Sequence, residues 1–285
     1  MIHSSIYHRA DTMAAIRLLL SLLTGLCAYY FYSQETLSPF KPPEMVRGKR
    51  VLVTGSSTGI GEQIAYEFAR MGAHLLLTAR REKQLKEVRP QKKQPKEGGE
   101  MEHLGGLDYL VLNHVGGSGR FGPFQGDMAA VTSSMTVNFL SYVQLTVSAM
   151  TMLQESQGSI IVISSLSGKE APFTLSYSAA KFALEGFYSS LRRELRLREI
   201  SLSVTVAVLG YIDTDNALKI IGDKITMQAN PKEECAREVV RAGVLRHREV
   251  IYPYWSLKPL LLLKEWMPGL MERMLDKFLI LENIL

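Results

Sequence analysis

The chain has 285 residues, 46 % of them apolar and 21 % charged, enough to bury the core of one large domain or two small ones. Its formal net charge of +5 is weakly basic, with "RGKR" at 47–50 and "RR" at 80–81 the densest cationic spots. No zinc-finger spacing or aromatic–basic RNA motif accompanies them, so nucleic acid drops out as a partner, and two distant cysteines, Cys27 and Cys235, exclude a disulfide framework.

Beyond a tail at residues 1–12, the run "MAAIRLLLSLLTGLCAYYFYS" at 13–33 carries a single charge, Arg17. It is long enough to cross a hydrocarbon core of about 30 Å. Tyr29, Tyr30, Phe31 and Tyr32 put ring side chains at one end, where they favour the interface, and Arg17 can snorkel at the other. The bulky end lacks the small-x-small pattern of a cleaved signal peptide, so a single-pass transmembrane anchor is expected. Arg9 and Arg17 lie toward one flank and Lys41, Arg47, Lys49 and Arg50 toward the other, which leaves the facing of the next domain open.

Residues 34–250 read as one α/β domain. "KRVLVTGSSTGIGEQIAYEFARMGAHLLLTARR" is a strand, a glycine turn, a helix and a second buried strand. Ile64, Phe68 and Met71 share the apolar face of the helix, and Gly72 stops it. Gly55, Gly59 and Gly61 lack the side chains that would keep a pyrophosphate from the backbone, and the helix that follows presents its positive end to that anion. The strand before and the helix after are the context this motif requires. At the end of the second strand, where an NAD site usually carries a carboxylate, stand Arg80 and Arg81, whose guanidinium groups suit the 2′-phosphate of NADP(H).

"GSIIVISSLSGKEAPFTLSYSAAKFALEGF" follows the third apolar strand. Its strand delivers Ser164 and Ser165 at the end where ligands gather in open α/β sheets. Tyr177 and Lys181 are spaced i, i+4 and share a helix face. A hydride moving to or from a carbinol carbon requires a proton to move on the oxygen. A phenol titrates near 10, and a neighbouring ammonium favours its ionised form. Ser165 can hold the oxygen of the substrate.

At 251–285, Leu270, Met271, Met274, Leu275, Phe278 and Leu279 form an apolar helical stripe with charges interleaved. A core or dimer-packing helix and a surface dipping into a bilayer are both consistent with it.

With these motifs the chain resembles the short-chain dehydrogenase/reductase family. The matching residues are "TGSSTGIG" at 54–61, "NHVG" at 113–116, Asn138 in "TVNF", Ser165 and "YSAAK" at 177–181. The resemblance implies a Rossmann-like doubly wound parallel sheet. It makes Tyr177 the catalytic acid/base, Lys181 the holder of the nicotinamide ribose, Ser165 the residue that orients the substrate oxygen, and Asn138 the support of a proton-relay water. It assigns the cofactor to Gly55, Ser56, Ser57, Thr58, Gly59, Ile60, Gly61, Arg80 and Arg81, with Asn113, His114 and Val115 on the adenine side and Ile212 and Thr214 of "LGYIDT" near the carboxamide. Within the family the chain is most similar to the 11β-hydroxysteroid dehydrogenase branch, on "SSLSGK", "YSAAKFALEGF", "VLGYIDT" and "MQANPKEECA". That similarity implies an NADP(H)-dependent interconversion of a steroid ketone and alcohol, of the cortisone/cortisol kind. It also implies a homodimer and a single pass through the endoplasmic-reticulum membrane with a lumenal enzyme domain and lipid contact.

One departure stands out. The family's sheet has a further strand between "HLLLTAR" and "LDYLVLN", yet residues 82–106 hold no apolar strand candidate. "EKQLKEV" makes about two turns of helix and is followed by "RPQKKQPKEGGE", and the interval is shorter than the family's by roughly twenty residues. The expectation is a sheet lacking its third strand. Two outcomes stay open: an active enzyme with an open sheet edge, or a membrane-anchored homologue with a loosened adenine pocket and weak or no catalysis, acting by binding or dimerisation.

Overall fold

Six short apolar segments pair side by side into one parallel sheet: β1 (Arg50–Thr54), β2 (His74–Thr78), β3 (Tyr109–Leu112), β4 (Ser159–Ile163), β5 (Ser203–Leu209) and β6 (Glu249–Tyr252). Their spatial order is β2-β1-β3-β4-β5-β6, all neighbours parallel. A computed structural model of the chain describes residues 17–19, 21–25, 42–88, 105–117, 121–170 and 173–285.

Parallel strands need crossovers, and the helices supply them. In chain order these are α1 (Pro42–Val46), α2 (Gly59–Arg70), α3 (Glu82–Glu87), α4 (Met128–Met135), α5 (Ser141–Glu155), α6 (Leu175–Leu197), α7 (Asp215–Ile221), α8 (Lys232–Val244), α9 (Tyr254–Trp266) and α10 (Pro268–Asp276). α2 and α8 pack together on one face of the sheet, and α4, α5 and α6 cover the other.

Because strand side chains alternate, each central strand feeds both layers. Leu52, Leu110, Leu112, Ile160, Val162, Val204, Val206 and Val208 join Tyr142, Leu153, Leu184 and Tyr188 in one buried cluster under α5 and α6. Under α8 the contact is close enough that a Cβ on Gly243 would lie 2.1 Å from Ile161 Cδ1, so a larger residue there would force the Ile161 side chain to shift. At the entry to β1, the Asp108 carboxylate accepts from the Arg50 backbone N–H at 2.9 Å and its Nε at 2.8 Å, with Lys49 Nζ at 3.5 Å. The guanidinium holds that carboxyl below its ordinary range, against the burial that opposes its charge.

β2 corrects one expectation. Residues 74–78 were expected to be buried, but β2 is half-buried along Leu75–Leu77 and exposed at His74 and Thr78. The reason is its position: among the described residues β2 pairs only with β1 and forms the edge of the sheet. The sheet thus shows no strand beyond β2 in the described residues, and residues 89–104 lie outside them. The short helix expected after Arg81 is α3.

Residues 42–285 form one compact unit and residues 1–41 another. In the latter, residues 17–19 and 21–25 are helical and exposed, and the rest of the expected span 13–33 lies outside the described residues. Among the described residues no helix is long and apolar enough to cross a membrane. At the other end, β6 straddles the boundary expected at 250, and the stripe expected over 270–279 is cut short. α10 ends at Asp276; Met271 is buried, Leu275 half-buried, and Leu279 leaves the helix to bridge Ile225.

Candidate active site

The chain leaves β1, builds β2 on one side, and returns to place β3 on the other, so the order reverses between β1 and β3. A crevice at such a reversal, beyond the carboxyl ends of the strands, is where open α/β sheets bind ligands. Thr54 stitches it shut from below. Its Oγ1 donates to the Val111 carbonyl at 3.1 Å and accepts from the Asn113 N–H at 2.9 Å. Asn113 Nδ2 returns to the Thr54 and Gly55 carbonyls at 3.2 and 3.1 Å.

The glycines fit a pyrophosphate cradle for a steric reason visible in the turn itself. Gly55 has φ +66°, and a Cβ there would stand 2.6 Å from His114 Cα. A Cβ on Gly61 would stand 2.4 Å from the Gly55 carbonyl oxygen, so α2 starts flush against the turn. Thr58, the residue that caps α2, makes no side-chain capping bond, which leaves its hydroxyl off the first-turn N–H groups where an anion binds. Instead its hydroxyl accepts from Arg81 Nη2 at 2.5 Å. Arg80 reaches the other way and donates to the Val115 carbonyl at 3.2 Å. Both arginines are exposed and bracket the turn, one on each side. A nicotinamide dinucleotide with a 2′-phosphate fits these residues.

The remaining cofactor candidates divide. Thr214 approaches from the β5 end, its Cγ2 3.1 Å from the place a Gly59 Cβ would take, and it caps α7 by accepting from the Ala217 N–H at 3.3 Å. Ser56 is buried and turned toward β2, its N–H and hydroxyl both directed at the Thr78 carbonyl. Ser57 is buried and Ile60 half-buried at the turn. Ile212 is buried, in a bridge to Asn230. Val115 is exposed beside Arg80.

His114 does something the sequence pattern did not reveal. Its ring turns inward: Nδ1 lies 2.9 Å from Thr54 Oγ1 and Nε2 2.7 Å from Ser141 Oγ, with the Tyr142 ring 4.5 Å away. The Thr54 and Ser141 hydroxyls each also donate to a carbonyl, of Val111 and of Val137, so the single N–H of the neutral ring can donate to only one of the two oxygens. Burial, with the Lys181 charge nearby, brings the imidazole down to about 4 and keeps it neutral.

Tyr177, Lys181 and Ser165 meet where β4 ends and α6 begins. Ser165 caps the 3₁₀ turn Leu166–Gly168, accepting from the Ser167 N–H at 3.1 Å, and its hydroxyl reaches the Tyr177 phenol. Lys181 is 2 % exposed; its Nζ donates to the Ile163 carbonyl at 2.7 Å and sits 5.2 Å from the Tyr142 ring centre and 5.4 Å from that of Tyr177. Ser164, the other serine at the strand end, is buried and its hydroxyl has no partner in the described structure.

The expected lowering of the phenol by the ammonium is absent from this arrangement. Burial penalises both charged forms: it pushes Tyr177 up to about 12, against the Ser165 hydrogen bond, and brings Lys181 down to about 7, against the pull of Glu185. At neutral pH the phenol is protonated, a donor rather than a base.

Asn138 is brought to the same end of the sheet, but its side chain is spent elsewhere. It lies fully buried in a π-helical turn, Thr136–Leu140, between α4 and α5. Its Oδ1 accepts from the Gly116 N–H at 3.1 Å, and its Nδ2 donates to the carbonyls of Gly116 at 2.8 Å and Ser134 at 3.0 Å. The group expected to support a water therefore ties the β3–α4 loop to the helix. Thr54, Ser141 and Tyr142 were not singled out from the sequence. The available signal for Tyr142 was its i, i+4 spacing from Asn138, and for Ser141 its adjacency to Tyr142.

A reversed parallel sheet with a glycine turn at its crevice and a Ser–Tyr–Lys group across from it is the architecture of a dehydrogenase. The family model described as short chain dehydrogenase matches residues 49–102 and 98–224, and the chain belongs to that family. Hydroxysteroid 11-beta-dehydrogenase 1-like protein B of Xenopus laevis is 60 % identical over 290 residues, covering 94 % of this chain and 98 % of the relative. Protein A of the same name and organism is 58 % identical over 296 residues, covering 95 % and 100 %. Since 94 % of 285 residues is about 268, about 22 of the 290 aligned positions have no residue of this chain opposite them. The family match itself divides near residues 98–102, inside the interval read as shortened. Among solved structures, a short chain dehydrogenase from Burkholderia cenocepacia J2315 in complex with NADP superposes with a TM-score of 0.67 at 22 % identity, covering 81 % of this chain and 98 % of that one.

Proposed function

We propose that the protein is an NADP(H)-dependent oxidoreductase that interconverts a ketone and an alcohol on a steroid-like substrate. The observation that carries the reading is the placement of Tyr177, Ser165 and Lys181 at the same end of the sheet as the glycine turn bracketed by Arg80 and Arg81. The names of the relatives that are about 60 % identical support the substrate class.

NADP(H), which the glycine turn with Arg80 and Arg81 would hold, would supply or accept the hydride. In the reducing direction Tyr177, protonated at neutral pH, donates its proton to the carbonyl oxygen, and the Ser165 hydroxyl donates a hydrogen bond to the same atom. The Lys181 charge beneath the ring then stabilises the phenolate left behind. Alcohol oxidation requires the phenolate at the outset, so it gains with rising pH while reduction declines as Lys181 loses its proton.

Two surfaces support the wider expectations. Val147 on α5 and Phe182 on α6 are exposed, apolar and available to a second copy. Trp255 and Trp266 of α9 are 74 % and 85 % exposed, which favours contact with a bilayer from which a lipophilic substrate arrives. With the anchor expected at 13–33, this supports a single-pass protein of the endoplasmic-reticulum membrane. The runner-up reading, a homologue that binds but does not turn over, draws on the β2 edge near Arg80, which pairs only with β1 among the described residues.

Purified full-length protein separates the two. NADPH is expected to raise the melting temperature and to be consumed with an 11-keto steroid. Tyr177→Phe is expected to lower kcat/KM by about 100-fold or more without loss of NADPH binding. Binding without consumption favours the runner-up, and unchanged turnover in Tyr177→Phe overturns the assignment of the proton donor.

A further inference from the structure

Lys181 is buried, yet the chemistry assigned to it requires charge. Burial works against that charge, and the groups facing Lys181 offer little to restore it. The Ile163 carbonyl of β4 accepts its hydrogen bond; Tyr142 of α5 and Tyr177 of α6 present rings; His114, from the loop after β3, is neutral. The one carboxylate acting on it is Glu185, a helical turn further along α6.

Glu185 is an unusual carboxylate. Its Oε2 lies 2.9 Å from Lys169 Nζ, while its Oε1 is buried with no hydrogen-bond partner in the described structure. Lys169 is already matched by Glu249 of β6 at 3.0 Å, so a second carboxylate on that ammonium is more than charge balance needs. The cluster lines a cleft that also holds Arg192 of α6, whose charge acts on Glu185, and Arg248, the residue before β6. Lys169 belongs to the segment that joins Ser165 to Tyr177, and Lys264 of α9 fastens that segment by pairing with Glu170 at 2.9 Å and donating to the Lys169 carbonyl. A carboxylate kept half-bonded in such surroundings costs stability. Its field on Lys181 is a return for that cost.

We infer that Glu185 is a positioning residue that keeps Lys181 protonated in the catalytic helix. Its effect on catalysis rests on the oxidoreductase reading above, but its effect on the Lys181 proton does not.

The test reads that proton directly, in full-length protein without cofactor or substrate. Lysine side-chain NMR of ¹³C-lysine-labelled protein follows the Lys181 signal against pH, assigned by its loss in Lys181→Arg. In Glu185→Gln the Lys181 midpoint is expected to fall by roughly half a unit or more, about a threefold lower ratio of ammonium to amine, and Glu185→Asp is expected to restore most of it. In Lys169→Gln a neighbouring cation is lost and the carboxylate is less screened, so the midpoint is expected to rise. Shifts of opposite sign in the two variants support the inference. An unmoved midpoint in Glu185→Gln, or a fall in Lys169→Gln, overturns it; if Glu185→Gln does not fold, Lys169→Gln decides alone. Ketone reduction by wild type is measured in parallel: its absence defeats the oxidoreductase reading and leaves the titration to judge Glu185.

Discussion

Asn138→Ala asks what this buried amide is for. The wild-type side chain bonds both the N–H and the carbonyl of Gly116 and the carbonyl of Ser134, all between 2.8 and 3.1 Å. Alanine removes these at once and leaves the Gly116 groups to find water at a half-buried site. At about 1 kcal/mol net for each bond, with a further cost for each group left unpaired, the loss is about 2–4 kcal/mol. For a domain of this size each kcal/mol moves the midpoint by roughly 2–4 °C, so the melting temperature is expected to drop by about 5–15 °C. Because Gly116 also borders Arg80, NADPH affinity is expected to fall with stability. Differential scanning calorimetry and an NADPH fluorescence titration on the same samples give both quantities. Wild-type melting and wild-type affinity together with lost turnover would refute the structural account and restore a role confined to proton relay.

Three more outcomes follow from the same geometry. Arg80→Ala and Arg81→Ala are each expected to weaken NADPH by about tenfold or more while NADH moves little, since a charge-assisted bond to a 2′-phosphate is worth about 1.5–3 kcal/mol; calorimetric titration with both nucleotides measures it. Lys181→Met is expected to abolish turnover yet raise the melting temperature. The lysine binds its proton less readily folded than unfolded, so stability is complete above the unfolded value of 10.5 and declines as pH falls to the folded value of about 7, a dependence that methionine abolishes. His114 adds a lower window of the same sign. Its folded value of about 4 lies below the unfolded 6.5, so stability falls as pH drops between them; denaturant melts of His114→Asn across pH 4–7 are expected to show a flatter profile.

Much of the site was legible locally. Gly55, Gly59 and Gly61 between an apolar strand and an amphipathic helix, Arg80 and Arg81 at the next strand end, and Tyr177 and Lys181 at i, i+4 are patterns of neighbours in sequence, and each is brought to the same end of the sheet. In sequence the interval 82–106 holds no apolar strand candidate, and among the described residues, which leave out 89–104, the sheet ends at β2. What could not be read were interactions between segments far apart in the chain: Thr54 with His114, His114 with Ser141, Asn138 with Gly116, Lys169 with both Glu185 and Glu249.

The titration of the site belongs to that second group. Sequence alone set which side chains share a helix face, because a 3.6-residue period places position 181 over 177 and 185 over 181 whatever surrounds them. Tertiary structure decided which of them hold a proton. Desolvation depends on how many segments close around a group, and here β4, α5 and α6 enclose Lys181 while a loop from β3 brings a neutral imidazole beside it. Spacing predicted a pair, and packing made the tyrosine the member that keeps its proton and the lysine the member that gives its proton up most readily.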